Sequence, residues 1–230
     1  IVPAGSGKTS HAIMKTLRHC SLHPNGARYV FLRLTLPQLR DTTIKTFFDW
    51  VPRSMGKWNE EAKLFTLGGK YEFFFRAIER PEDVDNVKGL EYTGYFVNEA
   101  MEIPIEIKRM LDQRCGRYPK EPYFDEDTKT WRKRGTDKTL RILDTNPPDM
   151  EHWLVEEFIN KPLPNHRHVF NPAFENAHNL PPGYYERMKQ DYRDSPDLYD
   201  RYVLGKLGST YRGKAVFPEW STATHMARQP

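Results

Sequence analysis

The chain has 230 residues, 38% hydrophobic and 13% aromatic, enough for one sizeable core with a smaller appendage. Its 35 basic and 31 acidic residues leave a formal charge of +4, which permits a nucleic-acid partner without demanding one. No apolar run approaches the ~20 residues of a membrane-spanning helix, and the two cysteines, Cys20 and Cys115, give neither a disulfide framework nor metal-ligand spacing. A reducing, cytosolic setting without a membrane partner follows.

In chain order, a phosphate-loop motif comes almost at once after Ile1, so a fragment whose first strand is largely missing is expected. Lys8 to Leu22 reads as a helix with Ala12, Ile13 and Leu17 on one side, stopped by His23-Pro24-Asn25-Gly26. His19 and His23 close that helix, where a protonated imidazole suits the dipole. Arg28 to Leu34 is an apolar strand suited to the middle of a parallel sheet. A second amphipathic helix runs from Leu36 to Val51, before Pro52. Lys63–Leu67 and Tyr71–Ala77 flank Gly68-Gly69, a hairpin signal. Tyr92–Asn98 is another buried strand, followed by a helix from Pro104 to Cys115. Residues 117–138 are polar and charge-blocked and read as an insertion or long hairpin. Thr139–Thr145 is a further strand and Asp149–Ile159 a further helix. Alternating strands and helices predict an α/β fold with a doubly wound, mostly parallel sheet. From Pro162 the prolines mark a linker, followed by short helices near Tyr184–Tyr192 and Asp197–Leu204. The segment Tyr211–Trp220 looks like the opening strand of a further unit.

The strongest chemistry lies in Ala4-Gly5-Ser6-Gly7-Lys8-Thr9-Ser10. Glycines let backbone N–H groups wrap a phosphate, and the helix that follows points its positive end at the anion. Lys8 would reach the β- and γ-phosphates of ATP, and the Thr9 hydroxyl would ligate Mg²⁺. Val2 stands where the full pattern has its first glycine.

Phosphoryl transfer to water also needs a carboxylate at the tip of a neighbouring strand. Glu99, closing Tyr95-Phe96-Val97-Asn98, supplies it as catalytic residue. The preceding position, usually acidic and near the metal, is Asn98. Either the metal relies more on Thr9 and the phosphates, or turnover is weakened. A third element, Leu143-Asp144-Thr145-Asn146-Pro147-Pro148, ends the next strand. Thr145 and Asn146 there could sense the γ-phosphate, or simply form a turn. Lys129, Arg132, Lys133, Arg134 and Lys138 surround Trp131, a composition suited to sequence-blind DNA contact. The alternative is a solvated loop balancing Asp125-Glu126-Asp127. His166 and His168 lack the further ligands of a zinc set.

Taken in order, these elements resemble the large terminase subunits of tailed bacteriophages. The matching pieces are AGSGKTS (Ala4–Ser10), FLRLTLPQLRDT (Phe31–Thr42), DNVKGLEYTGYFVNEAMEIP (Asp85–Pro104) and DQRCGRYP (Asp112–Pro119). They continue with LDTNPPDMEHWLVEEF (Leu143–Phe158), NPAFENAHNLPPGYYERM (Asn171–Met188) and LGKLGSTYRGKAVFPEW (Leu204–Trp220).

The resemblance implies a P-loop ATPase of the additional-strand, catalytic-glutamate type over residues 1–161. A small lid or linker subdomain would follow over 162–210, then the start of a nuclease domain over 211–230, without the nuclease carboxylates. It implies an ATP- and Mg²⁺-dependent motor packaging double-stranded DNA in the host cytoplasm. Its partners would be a portal protein, a small terminase subunit and further copies in a ring, commonly a pentamer. Lys8 and Thr9 match the phosphate and magnesium positions, Glu99 the catalytic glutamate, and Thr145-Asn146 the coupling motif. Ala4 stands where many members carry a basic residue, so a trans-acting finger is expected elsewhere, from Lys88, Arg114 or Arg117. Two other functions fit the same motifs: another P-loop motor such as a helicase, and a nucleotide-binding structural module that hydrolyses poorly.

Overall fold

The computed structural model describes residues 5–170 and 173–208. Alternation along the first strand sets the architecture. In β1 (Ala27–Arg33), Tyr29 and Phe31 face one side while Val30 and Leu32 face the other, and all are buried. A strand apolar on both faces has to be covered on both, which selects a sheet with helices on either side.

On the first face, α1 (Lys8–Cys20) packs Ala12 and Ile13 against Tyr29 and Phe31. Beside it runs a helical stretch made of α2 (Leu36–Gln38), a π-helical segment Leu39–Ile44, and α3 (Lys45–Trp50). Thr35 caps this stretch by accepting from the Gln38 amide, and Phe47 carries it into the core. There Phe31 meets Phe47, Phe73, Phe75 and Phe96 edge-on at ring-centroid distances of 5.3–5.9 Å.

β2 (Gly56–Asn59), β3 (Leu64–Leu67) and β4 (Tyr71–Ala77) follow as an antiparallel meander, with the expected hairpin at Gly68-Gly69. β2 is an addition to the predicted elements: four residues after Pro52 carry too short a pattern to announce a strand. α4 (Asp85–Lys88) leads to β5 (Gly94–Val97). α5 (Ile105–Arg114) buries Leu111 against Tyr95 and Val97 on the second face. β6 (Glu121–Asp125) and β7 (Thr130–Arg134) form a separate exposed hairpin, the predicted insertion. After β8 (Leu140–Leu143) come α6 (Trp153–Val155) and its π-helical continuation Glu156–Asn160, which close the second face through Leu154.

The sheet has six strands in the order β2-β3-β4-β1-β5-β8, with β4, β1, β5 and β8 mutually parallel. Gly94 is required where β5 meets β8: a Cβ there would sit 2.3 Å from the Leu140 carbonyl oxygen. A smaller cluster around Tyr185 and Val203 holds α7 (Tyr184–Asp191) and α8 (Pro196–Tyr202) together. The expected unit over 211–230 lies outside the described residues. No helix among the described residues is long and apolar enough to cross a membrane.

The end of α1 departs from expectation. His23 is buried, with Nε2 on the Lys138 carbonyl at 3.0 Å, and His19 Nδ1 pairs with the Tyr29 hydroxyl at 2.7 Å. Burial, with His23 and Lys15 nearby, lowers the His19 pKa to about 4, so packing outweighs the helix dipole and keeps the ring neutral. Because the folded value lies below the unfolded one of 6.5, the unfolded chain takes the proton first. The contribution of His19 to stability is therefore expected to be level above pH 6.5 and to fall between pH 6.5 and about 4. Urea midpoints at pH 7 and pH 5 should differ less in His19→Gln than in the parent; equal differences would remove His19 from the account.

Candidate active site

The parallel strands β1, β5 and β8 end at one level, which gathers three polar residues: Arg33, Asn98 and Asp144. The loop before α1 arrives at the same place. Gly5 and Gly7 adopt φ of 73° and 74°, the left-handed region that glycine enters without strain. Helix α1 then starts with no acidic residue in its first turn and no side-chain cap, leaving its N–H groups for an anion. Ser6 sits between those glycines, and Ser10 lies on the first turn of α1. Ala4 and Val2 lie outside the described residues.

Lys8 is drawn to two of the predicted residues. Its Nζ lies 2.9 Å from Glu99 Oε1 and donates to Asn146 Oδ1 at 2.7 Å. The Asn146 backbone N–H in turn donates to Glu99 Oε2 at 3.4 Å, closing a triangle. Glu99 has φ 56° and ψ 57°, a conformation costly for a residue with a side chain and common at functional sites. Thr145 is buried, its hydroxyl donating to the Asn146 carbonyl at 2.8 Å.

At the centre stands Asp144, to which the sequence reading gave no role. It is only 6% exposed. Asn98 Nδ2 donates to both of its oxygens, at 2.8 and 3.0 Å. The Glu99 backbone N–H adds a bond of 2.8 Å, and the Thr9 hydroxyl one of 3.3 Å. Burial raises the Asp144 pKa to about 6, against the pull of Lys8 and these donors.

Asn98 is fixed from its other side. Its Oδ1 accepts from Arg33 Nη1 at 2.8 Å and from the Thr43 hydroxyl at 3.0 Å. Turning the amide over would set oxygen against carboxylate and nitrogen against guanidinium, so the network admits one orientation. Position 98, read from the sequence as a neighbour of the metal, therefore shows its nitrogen to Thr9 and Asp144. Arg33, Thr43 and Asp144 received no role from the sequence: Arg33 and Asp144 lie within quoted stretches, but what each meets is on another strand or helix.

The small helical unit leans on this site. Asn176 Nδ2 donates to the Gly5 carbonyl at 2.6 Å, and a Cβ on Gly5 would meet Leu180 Cδ1 at 3.0 Å. Arg201 donates to the Pro147 carbonyl at 2.7 Å and pairs with Asp149 at 2.9 Å, directly after Asn146. Gly208 joins the same loop through the Pro148 carbonyl at 3.1 Å.

Other predicted residues stand apart. Lys88 is exposed and pairs with Asp85 at 2.9 Å. Arg114 and Arg117 flank Gly116, whose amide bonds the Tyr92 carbonyl at the start of the strands, the opposite end from Lys8. The β6–β7 hairpin is rooted at that same end, through Thr136 on Gly116 and Lys138 on His23. Its Trp131 is 73% exposed. Lys129 pairs with Glu126 at 2.8 Å and Arg132 with Asp125 at 3.1 Å, while Arg134 lies over the Tyr123 ring. Among the described residues Lys133 has no ion pair.

A glycine turn feeding a helix that opens on a lysine, with carboxylates at the tips of parallel strands, is the arrangement of a P-loop α/β fold. No protein-family model and no curated protein matches the sequence. In fold, the chain is that of the ATPase domains of phage large terminases. The large terminase of a thermophilic bacteriophage superposes with a TM-score of 0.72 at 19% identity, over 90% of this chain and 47% of that one. The same thermophilic-phage protein in complex with ADP gives 0.69 at 18% identity, over 90% and 47%. The large terminase ATPase domain of Thermus phage P74-26 gives 0.53 at 13%, over 88% of this chain and 84% of that one. The chain thus spans about half the length of the first of these terminases and most of the isolated P74-26 domain.

Arg201 should be what ties 196–208 to the strand-end loop. Arg201→Ala is expected to lower the local opening free energy there by about 1–3 kcal/mol. Hydrogen exchange would show faster amides in 196–208 and unchanged ones in β1 and β5; unchanged protection throughout would refute the tie.

Proposed function

We propose that this chain is the ATP-hydrolysing motor domain of a large terminase, driving double-stranded viral DNA into a capsid. The observation that carries the reading is the convergence of Lys8, Thr9, Glu99 and Asn146 at the strand ends of a fold shared with large-terminase ATPase domains. That the thermophilic-phage terminase of like fold forms a complex with ADP supports a nucleotide as the ligand here.

On this reading the N–H groups of Gly5 to Thr9 cradle the phosphates and Lys8 moves from Glu99 to the β- and γ-phosphates. Glu99, so released, orients a water and takes its proton as the water oxygen bonds to the γ-phosphorus. The bond to the bridging oxygen breaks, leaving ADP and phosphate. Mg²⁺ bound with the nucleotide neutralises phosphate charge, and Thr9 is the hydroxyl ligand that this chain offers. Among the described residues no group of three or more His, Cys, Asp and Glu could hold a metal alone, which suits a cation arriving with ATP. Asn146 and Thr145 pass loss of the γ-phosphate to the loop that Arg201 grips. The proposed setting is the host cytoplasm, with a portal protein, a small terminase subunit and a ring of copies as partners. Lys88, Arg114 and Arg117 are the proposed sources of a finger acting on a neighbour, since none reaches its own site. Residues 1–161 would form the motor and 162–210 the lid, with a nuclease beginning in 211–230.

The Lys8–Glu99 pair also favours a second reading, a nucleotide-binding module idle until assembled, because it occupies both groups that turnover requires. The two readings separate on ATP hydrolysis with and without double-stranded DNA, at concentrations allowing ring assembly. Glu99→Ala is expected to lower turnover by about 10²–10⁴-fold while nucleotide binding persists. Binding without turnover in parent and variant alike would favour the idle module.

DNA contact is proposed for the β6–β7 hairpin around Trp131 and Lys133. Reversing Arg132, Lys133 and Arg134 to glutamate should weaken DNA-stimulated hydrolysis and flatten its salt dependence. Stimulation equal to the parent's would return the hairpin to a plain solvated loop.

A further inference from the structure

We infer that Asp144, at the end of β8, supplies the carboxylate facing the nucleotide's divalent cation, and that Asn98 is the neutral adaptor that lets it do so. The inference rests on Lys8 and Thr9 forming the nucleotide site. Carboxylate and amide have exchanged strands: the tip of β5, next to the catalytic glutamate, carries the amide, and the tip of β8 carries the acid.

Hydrogen-bond polarity supports this assignment. The Thr9 hydroxyl donates its proton towards Asp144 Oδ2 at 3.3 Å. With its proton given to the carboxylate and one lone pair turned to Asn98 Nδ2 at 3.3 Å, the hydroxyl keeps its second lone pair for a hard cation. The same carboxylate sits between the P-loop threonine and the Glu99 amide, at 2.8 Å, so it borders both the metal-binding hydroxyl and the proposed base. Asn98 could not serve in its place, because its only oxygen is held by Arg33 and Thr43 and its nitrogen repels cations. An aspartate at 98 would set a second carboxylate 2.8–3.0 Å from Asp144, where the amide nitrogen now lies. One acid and one amide satisfy the pair; two acids repel and two amides leave no anion for the metal.

The pair should therefore be exchangeable. The test uses the full chain, with Mn²⁺ as a spectroscopic stand-in for Mg²⁺. Fluorescent ADP binding in EDTA reports the phosphate loop alone, and electron paramagnetic resonance of Mn²⁺ with ADP reports metal affinity. Asp144→Asn is expected to lose about 10–100-fold in Mn²⁺ affinity, well beyond any change in its ADP binding in EDTA. The exchanged variant, Asn98→Asp with Asp144→Asn, should recover Mn²⁺ affinity to within a few-fold. Parent-like Mn²⁺ affinity in Asp144→Asn would overturn the assignment, and an exchanged variant as weak as the single one would overturn the adaptor role. Should Asp144→Asn lose its circular dichroism signature, the exchanged variant decides alone, since it retains one acid and one amide. A parent that binds no ADP with or without metal would instead bring down the nucleotide reading itself.

Discussion

The Asp144 carboxylate is buried, and an anion removed from water must find donors or lose its charge. Its donors come from two places that are distant in sequence: Thr9 in the first turn of α1, and the adjacent pair Asn98 and Glu99 at the tip of β5. Each bond fixes a part of the site. Glu99 donates its backbone N–H to Asp144 from a left-handed conformation, a strain of about 1–3 kcal/mol that the charge-assisted bond helps to offset. Asn98 is constrained by the same requirement. Two carboxylates about 3 Å apart would repel by on the order of 5 kcal/mol at an effective dielectric near 20, so the neutral residue at 98 follows from the acid at 144.

Around this centre the contacts form one connected path. Lys8 touches Glu99 and Asn146; Pro147, next along, accepts from Arg201; Gly208 returns to Pro148. Asn176 meets the phosphate loop from the other direction, at Gly5. The small helical unit is thus attached both before and after the groups that would grip a γ-phosphate. On the proposed function, a change at Lys8 reaches α8 through backbone carbonyls and one guanidinium.

Much of this organisation was legible in the sequence, where it is local. The period of 3.6 in Lys8–Cys20, the apolar run of β1 and the Gly68-Gly69 turn each announce their element within a dozen residues. Lys8, Thr9, Glu99 and Asn146 were legible because a turn followed by a helix, or a strand tip, is itself a local signal. Asp144 was hidden although it lies inside a quoted motif, because its importance depends on β8 lying beside β5, and strand order is not written in periodicity. Arg33 and Thr43 were hidden for the same reason. The π-helical stretch Leu39–Ile44 keeps the composition of an ordinary amphipathic helix, so nothing local marks its wider turn. His23 was misjudged because a helix end was assumed to be wet, whereas the β7–β8 connection covers it.

The exposed hairpin of β6 and β7 stands on the end of the sheet away from Lys8, tied by Gly116, Thr136 and Lys138. Among the described residues the hairpin shares no hydrogen bond with Gly5–Ser10 or the strand tips, so replacing its side chains leaves those contacts in place. On the proposed function, two molecules built on this plan could keep every nucleotide contact and still differ in how they hold DNA. Hydrolysis and grip would then diverge independently.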